Sequence, residues 1–274
     1  MHGHDHFVSI NGLQLHYIEW GRREARSIVL LHGGSAHAHW WDFFAPAIAG
    51  DFHVIAVDLR GHGDSEHAQP PAYGVADYAA DLAAFMQRLG ADRIDLVGHS
   101  LGGMVATVAG AQAPERIRSV VIVDSALRIT AAGARYMTRL QRFPQPLYRS
   151  REEAITRFRL LPTHTVAPPQ VLAHVAAHGV RPLPDGRWTF KFDRAAMAAN
   201  EPEDFTPALQ RLHCPILFVR ATHSTLLTPA ALAHLLSAAP HARSIEIAEA
   251  YHHVMLDRPD EFARVVSGFL RSAM

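Results

Sequence analysis

Val97-Gly98-His99-Ser100-Leu101-Gly102-Gly103 follows a short apolar run, 94–97, and opens a helical stretch, 101–112. A serine with glycine two residues away on either side, at the join of a strand and a helix, must occupy a sharp, strained turn. Gly98 and Gly102 remove the side chains that would collide where the two elements meet, and the turn lifts the Ser100 hydroxyl into a cleft. The helix that begins at Leu101 aims unpaired backbone N–H groups and its positive end at the same place, where an anion is stabilised. In this strand-to-helix setting the pattern reads as a nucleophile and not as an ordinary glycine-rich turn.

Outward from this junction, further apolar runs without alternation occur at 28–31, 54–57, 120–123, 216–219 and, less purely, 244–247. Runs of this kind are strands buried on both faces. Helical stretches at 41–48, 76–89, 229–238 and 261–270 separate them, with Thr228-Pro229 a cap followed by a first turn. The chain opens differently. Residues 7–10 and 13–20 flank Asn11-Gly12, a dipeptide suited to a two-residue hairpin turn. The alternation predicts an α/β fold with a mostly parallel sheet covered by helices on both sides. It fails over 126–205, where arginines, prolines and two or three amphipathic stretches replace it. This segment leaves after one strand and returns to the next, so it is expected to sit as a lid over the carboxyl ends of the strands. The core is then 1–125 with 206–274.

The combination of motifs resembles the α/β-hydrolase family through nearly the whole chain except the lid. His32-Gly33-Gly34 is similar to that family's oxyanion loop, and Asp58-Leu59-Arg60-Gly61-His62-Gly63-Asp64-Ser65 to its characteristic loop after the next strand. The resemblance implies an eight-stranded sheet and an oxyanion hole made by the backbone N–H groups of Leu101 and Gly34, with Ser35 as the second choice for the latter. The 58–65 loop reads as a structural brace.

A serine hydroxyl is a poor nucleophile at neutral pH and needs a histidine to take its proton and a carboxylate to orient that histidine. Ala250-Tyr251-His252-His253-Val254-Met255-Leu256-Asp257-Arg258-Pro259 resembles the family's segment of small residue, histidine, four residues, acid, any residue, proline. That spacing selects His252; His253 is one position late, and Tyr251 departs from the glycine of many relatives. Asp257 reads as a cap of the last helix. In much of the family the acid lies in the loop after the penultimate strand, here 220–227, which contains no carboxylate and has Ser224 near the customary position. Asp124 directly follows the run 120–123, and the family includes members whose acid sits at that earlier strand end. Neighbouring strand ends reach the same imidazole, so Asp124 is the expected acid. His99 reads as a packing residue. Trp40, Trp188 and Phe190 are candidate substrate-binding residues, the last two from an alternating stretch, 187–192.

These residues imply a serine hydrolase that cleaves a carboxylic ester or related acyl compound without a cofactor. Lactone hydrolysis, carbon-carbon bond hydrolysis and a hydrolase-like ligand receptor stay open, because they share the constellation. Composition agrees with a small-molecule substrate: 26 basic and 26 acidic residues create no global field for nucleic acid or an acidic membrane. The histidine-rich start, with His2, His4 and His6, lacks the apolar stretch of a signal peptide, and no run approaches the roughly 20 residues of a membrane span. A soluble, cytoplasmic monomer or homodimer is expected. No HExxH or paired-cysteine spacing occurs, so no metal site is expected. The single cysteine, Cys214, reads as a packed thiol.

Overall fold

The computed structural model describes residues 2–197 and 201–273. Eight strands form one sheet: β1 (His4–Ile10), β2 (Leu13–Trp20), β3 (Arg26–Leu31), β4 (Phe52–Val57), β5 (Ile94–His99), β6 (Ile117–Val123), β7 (Ile216–Ala221) and β8 (Arg243–Ile247). Their spatial order is β1-β2-β4-β3-β5-β6-β7-β8. Asn11 and Gly12, both with positive φ (49° and 81°), turn β1 onto β2, and every pair from β4 to β8 is parallel. This is the α/β-hydrolase fold.

Side-chain alternation divides the core into two layers. Val29 and Leu31 of β3 join one, with Tyr78, Leu82 and Phe85 of α2 (Val75–Leu89) and Val105 and Ala109 of α3 (Leu101–Gln112). Ile28 and Leu30 join the other, against Trp41, Phe44 and the last helix, Pro259–Ser272. Each strand between β3 and β6 is thus apolar on both faces, which is why its sequence shows no alternation. Cys214 is buried, and burial pushes its thiol up to about 11.

The helix expected over 41–48 is instead a 3-10 turn, Ala38–Trp41, followed by a short helix α1, Ala45–Ile48. Pro46 has no N–H and fits only a first turn, so the helix restarts just before it. Between β6 and β7 the chain makes its long excursion. Its ends are tied together by Arg128–Ile129 paired with Glu203–Asp204, and residues 198–200 within it lie outside the described residues. It contains α4 (Ala131–Gln141), α5 (Arg151–Arg157), α6 (Pro169–His178) and a hairpin of Val180–Pro182 with Trp188–Phe190. Thr130 and Ser150 cap α4 and α5 through hydroxyls that accept from Gly133 N and Glu153 N.

Candidate active site

Ser100 stands between β5 and α3 with φ 52° and ψ −114°, a conformation that side chains other than glycine's enter at a cost of about 1–3 kcal/mol. Its N–H donates to Val123 O (2.9 Å), and its carbonyl accepts from Gly103 N and Met104 N (3.0 and 3.3 Å). The flanking glycines are required by contact. A Cβ on Gly98 would lie 2.2 Å from Gly102 O, and one on Gly102 would lie 2.3 Å from Leu31 O.

The loop after β3 presses on this turn. A Cβ on Gly33 would lie 2.8 Å from His99 Nδ1 and 3.2 Å from Ser100 Cβ. His32 holds the loop in shape: its Nδ1–H donates to Gly33 O (2.7 Å) and its Nε2 accepts from Leu59 N (3.0 Å). Burial lowers the His32 pKa, which keeps the ring neutral and able to do both. Among the described residues, neither Gly34 N nor Leu101 N is used in a turn or loop hydrogen bond, so both amides are available to a ligand. Ser35, at φ 62°, buries its hydroxyl without a partner among those residues. Asp58 braces the floor by accepting from Ala38 N (2.6 Å), Asp64 N (2.9 Å) and His16 Nδ1 (2.7 Å). Despite burial, the bond to His16 and the neighbouring His16, His32 and His37 rings hold its carboxyl below the usual range.

Asp124, fully buried at φ 44° directly after β6, takes the register position beside Ser100, because His99 pairs with Val123. His252 Nδ1–H donates to Asp124 Oδ2 at 2.7 Å, which leaves Nε2 as a lone pair. Ser224 Oγ donates to the same oxygen (2.5 Å), and Ala221 N to the other (3.0 Å). Ser224 is legible in the sequence only as the residue standing where a carboxylate is customary; in the structure it donates to Asp124. His99 Nε2–H donates to His252 O (2.9 Å), tying the two loops together. Neither the Ser100 hydroxyl nor His252 Nε2 is hydrogen-bonded among the described residues.

The neighbouring histidines are occupied otherwise. His253 donates to Pro162 O (3.0 Å) and burial lowers its pKa to about 3, while burial holds His99 well below the ordinary value. Asp257 does not cap the last helix. It ends the short helix Val254–Asp257, and its carboxylate accepts from Tyr251 N (2.7 Å), Thr165 Oγ1 (2.5 Å) and Val166 N (3.0 Å), joining the histidine loop to the excursion.

A cavity of about 270 Å³ lies between the loop after β3 and the excursion, lined by Ser35, Ala36, His37, Phe158, Leu160 and Phe190 among others. Ser100 and His252 are outside its lining, which includes Ser35 of the loop after β3. Of the three aromatic candidates only Phe190 lines it. Trp40 is buried behind the site, its ring 5.1 Å from His253 and 6.5 Å from His99, and Trp188 is paired through its backbone with Tyr148. Sequence patterning shows that an aromatic is half-buried but not which way it points. Arg159 and Arg194 also line the cavity, and among the described residues their guanidinium groups meet backbone carbonyls and no carboxylate.

Residues 26–259 match the family described as alpha/beta hydrolase fold. The chain is 30% identical over 261 residues to an esterase of Mycobacterium tuberculosis, covering 92% of this chain and 85% of that one. It is 28% identical to 2-(acetamidomethylene)succinate hydrolase of Mesorhizobium japonicum over 97% of this chain and 96% of that one. Among solved structures, E-2-(acetamidomethylene)succinate hydrolase superposes with a TM-score of 0.88 at 26% identity, covering 98% of this chain and all (100%) of that one. The enol-lactonase of Burkholderia xenovorans superposes with a TM-score of 0.80 at 25% identity, covering 97% and 100%.

Proposed function

This chain belongs to the α/β-hydrolase family and is a hydrolase, and from that premise we propose that it is a serine hydrolase working through an acyl-enzyme, with Ser100, His252 and Asp124 as its triad. The observation that carries this reading is the 2.7 Å bond from His252 Nδ1 to Asp124 Oδ2, made at the strand end next to the strained Ser100. The bond fixes the tautomer whose Nε2 lone pair takes the serine proton as Ser100 Oγ attacks a carbonyl carbon. The Leu101 and Gly34 amides stabilise the oxyanion, each supplying about 10²- to 10³-fold in rate. The protonated imidazole then gives its proton to the leaving alcohol, and water repeats the sequence to release the acid.

The excursion, 126–205, is the lid in this reading, and Phe190 with the neighbouring apolar residues receives the acyl group. Arg159 and Arg194, cationic in an otherwise largely apolar wall, favour an acyl group that carries a carboxylate of its own. A hydrolase named for a succinate derivative, similar to this chain in sequence and in solved structure, and a structure named an enol-lactonase keep esters, amides and lactones of acidic acyl groups in the substrate class.

Turnover of p-nitrophenyl acetate and butyrate by the wild type and Ser100→Ala tests the nucleophile. We expect the variant to lose at least about 10³-fold in kcat, and equal rates would remove the reading. A panel of neutral and carboxylate-bearing esters and lactones then tests the substrate class, with kcat/KM expected to favour the acidic members.

A further inference from the structure

Three imidazoles and one carboxylate meet where helix α6 of the excursion crosses the core. His174 and His178 are one turn apart on α6 and leave the same face. Opposite them, His39 lies in the turn Ala38–Trp41, and Asp42 directly follows it. Oδ2 of Asp42 is 2.9 Å from His39 Nδ1 and 2.7 Å from His174 Nε2. The rings of His39 and His178 are 3.8 Å apart, and those of His174 and His178 4.4 Å. One ring nitrogen from each of the three histidines lies within 4.8 Å of the others, and all three residues are partly exposed, so an ion can enter from solvent.

The surrounding bonds suit a ligand set. His178 Nδ1–H donates to the carbonyl of His174 (2.9 Å), which leaves its Nε2 as a lone pair. A backbone carbonyl or carboxylate on the far nitrogen is what orients a metal-bound imidazole. We propose that His39, His174 and His178, with Asp42, bind a divalent transition-metal ion of the zinc type, which staples α6 to the core. Three imidazoles with one carboxylate select zinc, nickel or copper over magnesium or calcium, which require oxygen ligands. Around a tetrahedral ion with ligands at about 2.0–2.1 Å, neighbouring donor atoms sit about 3.4 Å apart. Side-chain rotation that opens the His39–His178 stack brings the nitrogens to that spacing. The site does not depend on the role of Ser100.

The chain has 20 histidines, and His2, His4 and His6 offer an adventitious site, so the test compares three EDTA-treated full-length proteins. These are the wild type, His174→Ala/His178→Ala, and His2→Ala/His4→Ala/His6→Ala. Each is titrated with Zn²⁺ by calorimetry and with Co²⁺ by visible absorption. Wild type and the N-terminal variant are expected to bind one ion per chain with the absorption of a low-coordinate Co²⁺ centre. The lid variant is expected to lose that ion's affinity by about 100-fold or more, and Asp42→Asn by about 10- to 100-fold. With Zn²⁺ at a hundredfold excess over Kd, the Tm of the first two should rise by about 5–10 °C. Equal binding by wild type and lid variant, loss of the ion in the N-terminal variant alone, or no binding by any of them overturns the proposal. If the double substitution disturbs the circular dichroism spectrum, His178→Gln, at a partly exposed position, takes its place with the same expectation.

Discussion

Asp124 is the residue on which the proposed chemistry turns, and its surroundings explain why a serine occupies position 224. Two neutral donors, Ala221 N–H and the Ser224 hydroxyl, and the His252 ring converge on its two oxygens. A carboxylate at 224 would face that of Asp124 at hydrogen-bond range, and two like charges so close cannot both ionise. A hydroxyl fills the same space and strengthens the acid that remains. Asp124→Asn keeps the shape but offers an amide that favours the wrong imidazole tautomer, so kcat should fall by about 10⁴-fold. Adding Ser224→Asp to that variant returns a carboxylate within reach of the imidazole and should restore at least about tenfold of the loss. Ser224→Asp alone should lower kcat by crowding two carboxylates around one ring. Steady-state rates of the three variants decide: unchanged turnover in Asp124→Asn removes it as the acid, and no recovery in the double variant means that the position does not reach His252.

At the scale of elements, the site is made by the close approach of α3 to β3, and glycine sets that distance. A Cβ on Gly102 would meet Leu31 O at 2.3 Å and His32 O at 2.7 Å, backbone atoms of the last residue of β3 and the first of the loop that follows it. Gly102→Ala should therefore cost about 1–3 kcal/mol, lower the Tm by about 3–10 °C, and reduce kcat as Ser100 and the loop move apart. Gly268→Ala, in the last helix with no neighbouring element within 4 Å of the new carbon, should instead raise the Tm slightly through helix propensity. Melting and rate measurements on the two variants separate packing from propensity; a Gly102→Ala enzyme with wild-type Tm and kcat would refute the contact. This packing is also why the elbow was legible in sequence: a glycine that contact demands leaves a mark in the pattern. The strands of the sheet and α3 were equally legible, because burial on both faces or a strand-to-helix join restricts composition. Residues 41–48 were misread because apolar content hid the effect of Pro46. Trp40 and Trp188 stand outside the cavity lining, because their direction depends on which partners cover them. The cluster of His39, His174 and His178 left no motif, since its members come together only when α6 is laid across the core.

At the scale of the whole molecule, burying histidines makes the fold acid-sensitive above the range where carboxylates titrate. Burial lowers the pKa of His62 and His253 from 6.5 to about 3, and holds His99 well below 6.5. In each case the folded value lies beneath the unfolded one. Between about pH 6.5 and pH 3 the unfolded chain therefore binds protons that the folded chain refuses, and stability falls as the pH falls. Each fully shifted imidazole contributes about 1.4 kcal/mol per pH unit, so the three together approach 4 kcal/mol per unit. Asp58 and Asp42, whose folded values are depressed, act in the same direction, but only once the pH drops below the ordinary carboxylate value of 3.8. His16 acts in the opposite sense: burial opposes its charge, the bond to Asp58 outweighs burial, and its raised pKa favours the folded state in acid. One such group does not offset three. Against a total stability of about 5–15 kcal/mol, the slope brings the acid midpoint to roughly pH 3–5. Melting temperatures at pH 8, 6.5, 5.5 and 4.5 should change little between the first two and fall steeply through the last two. A melting temperature that holds to pH 4.5 would mean that these rings accept protons inside the fold, and with it the neutral environment assigned to His99 and His253 beside the proposed base would be lost.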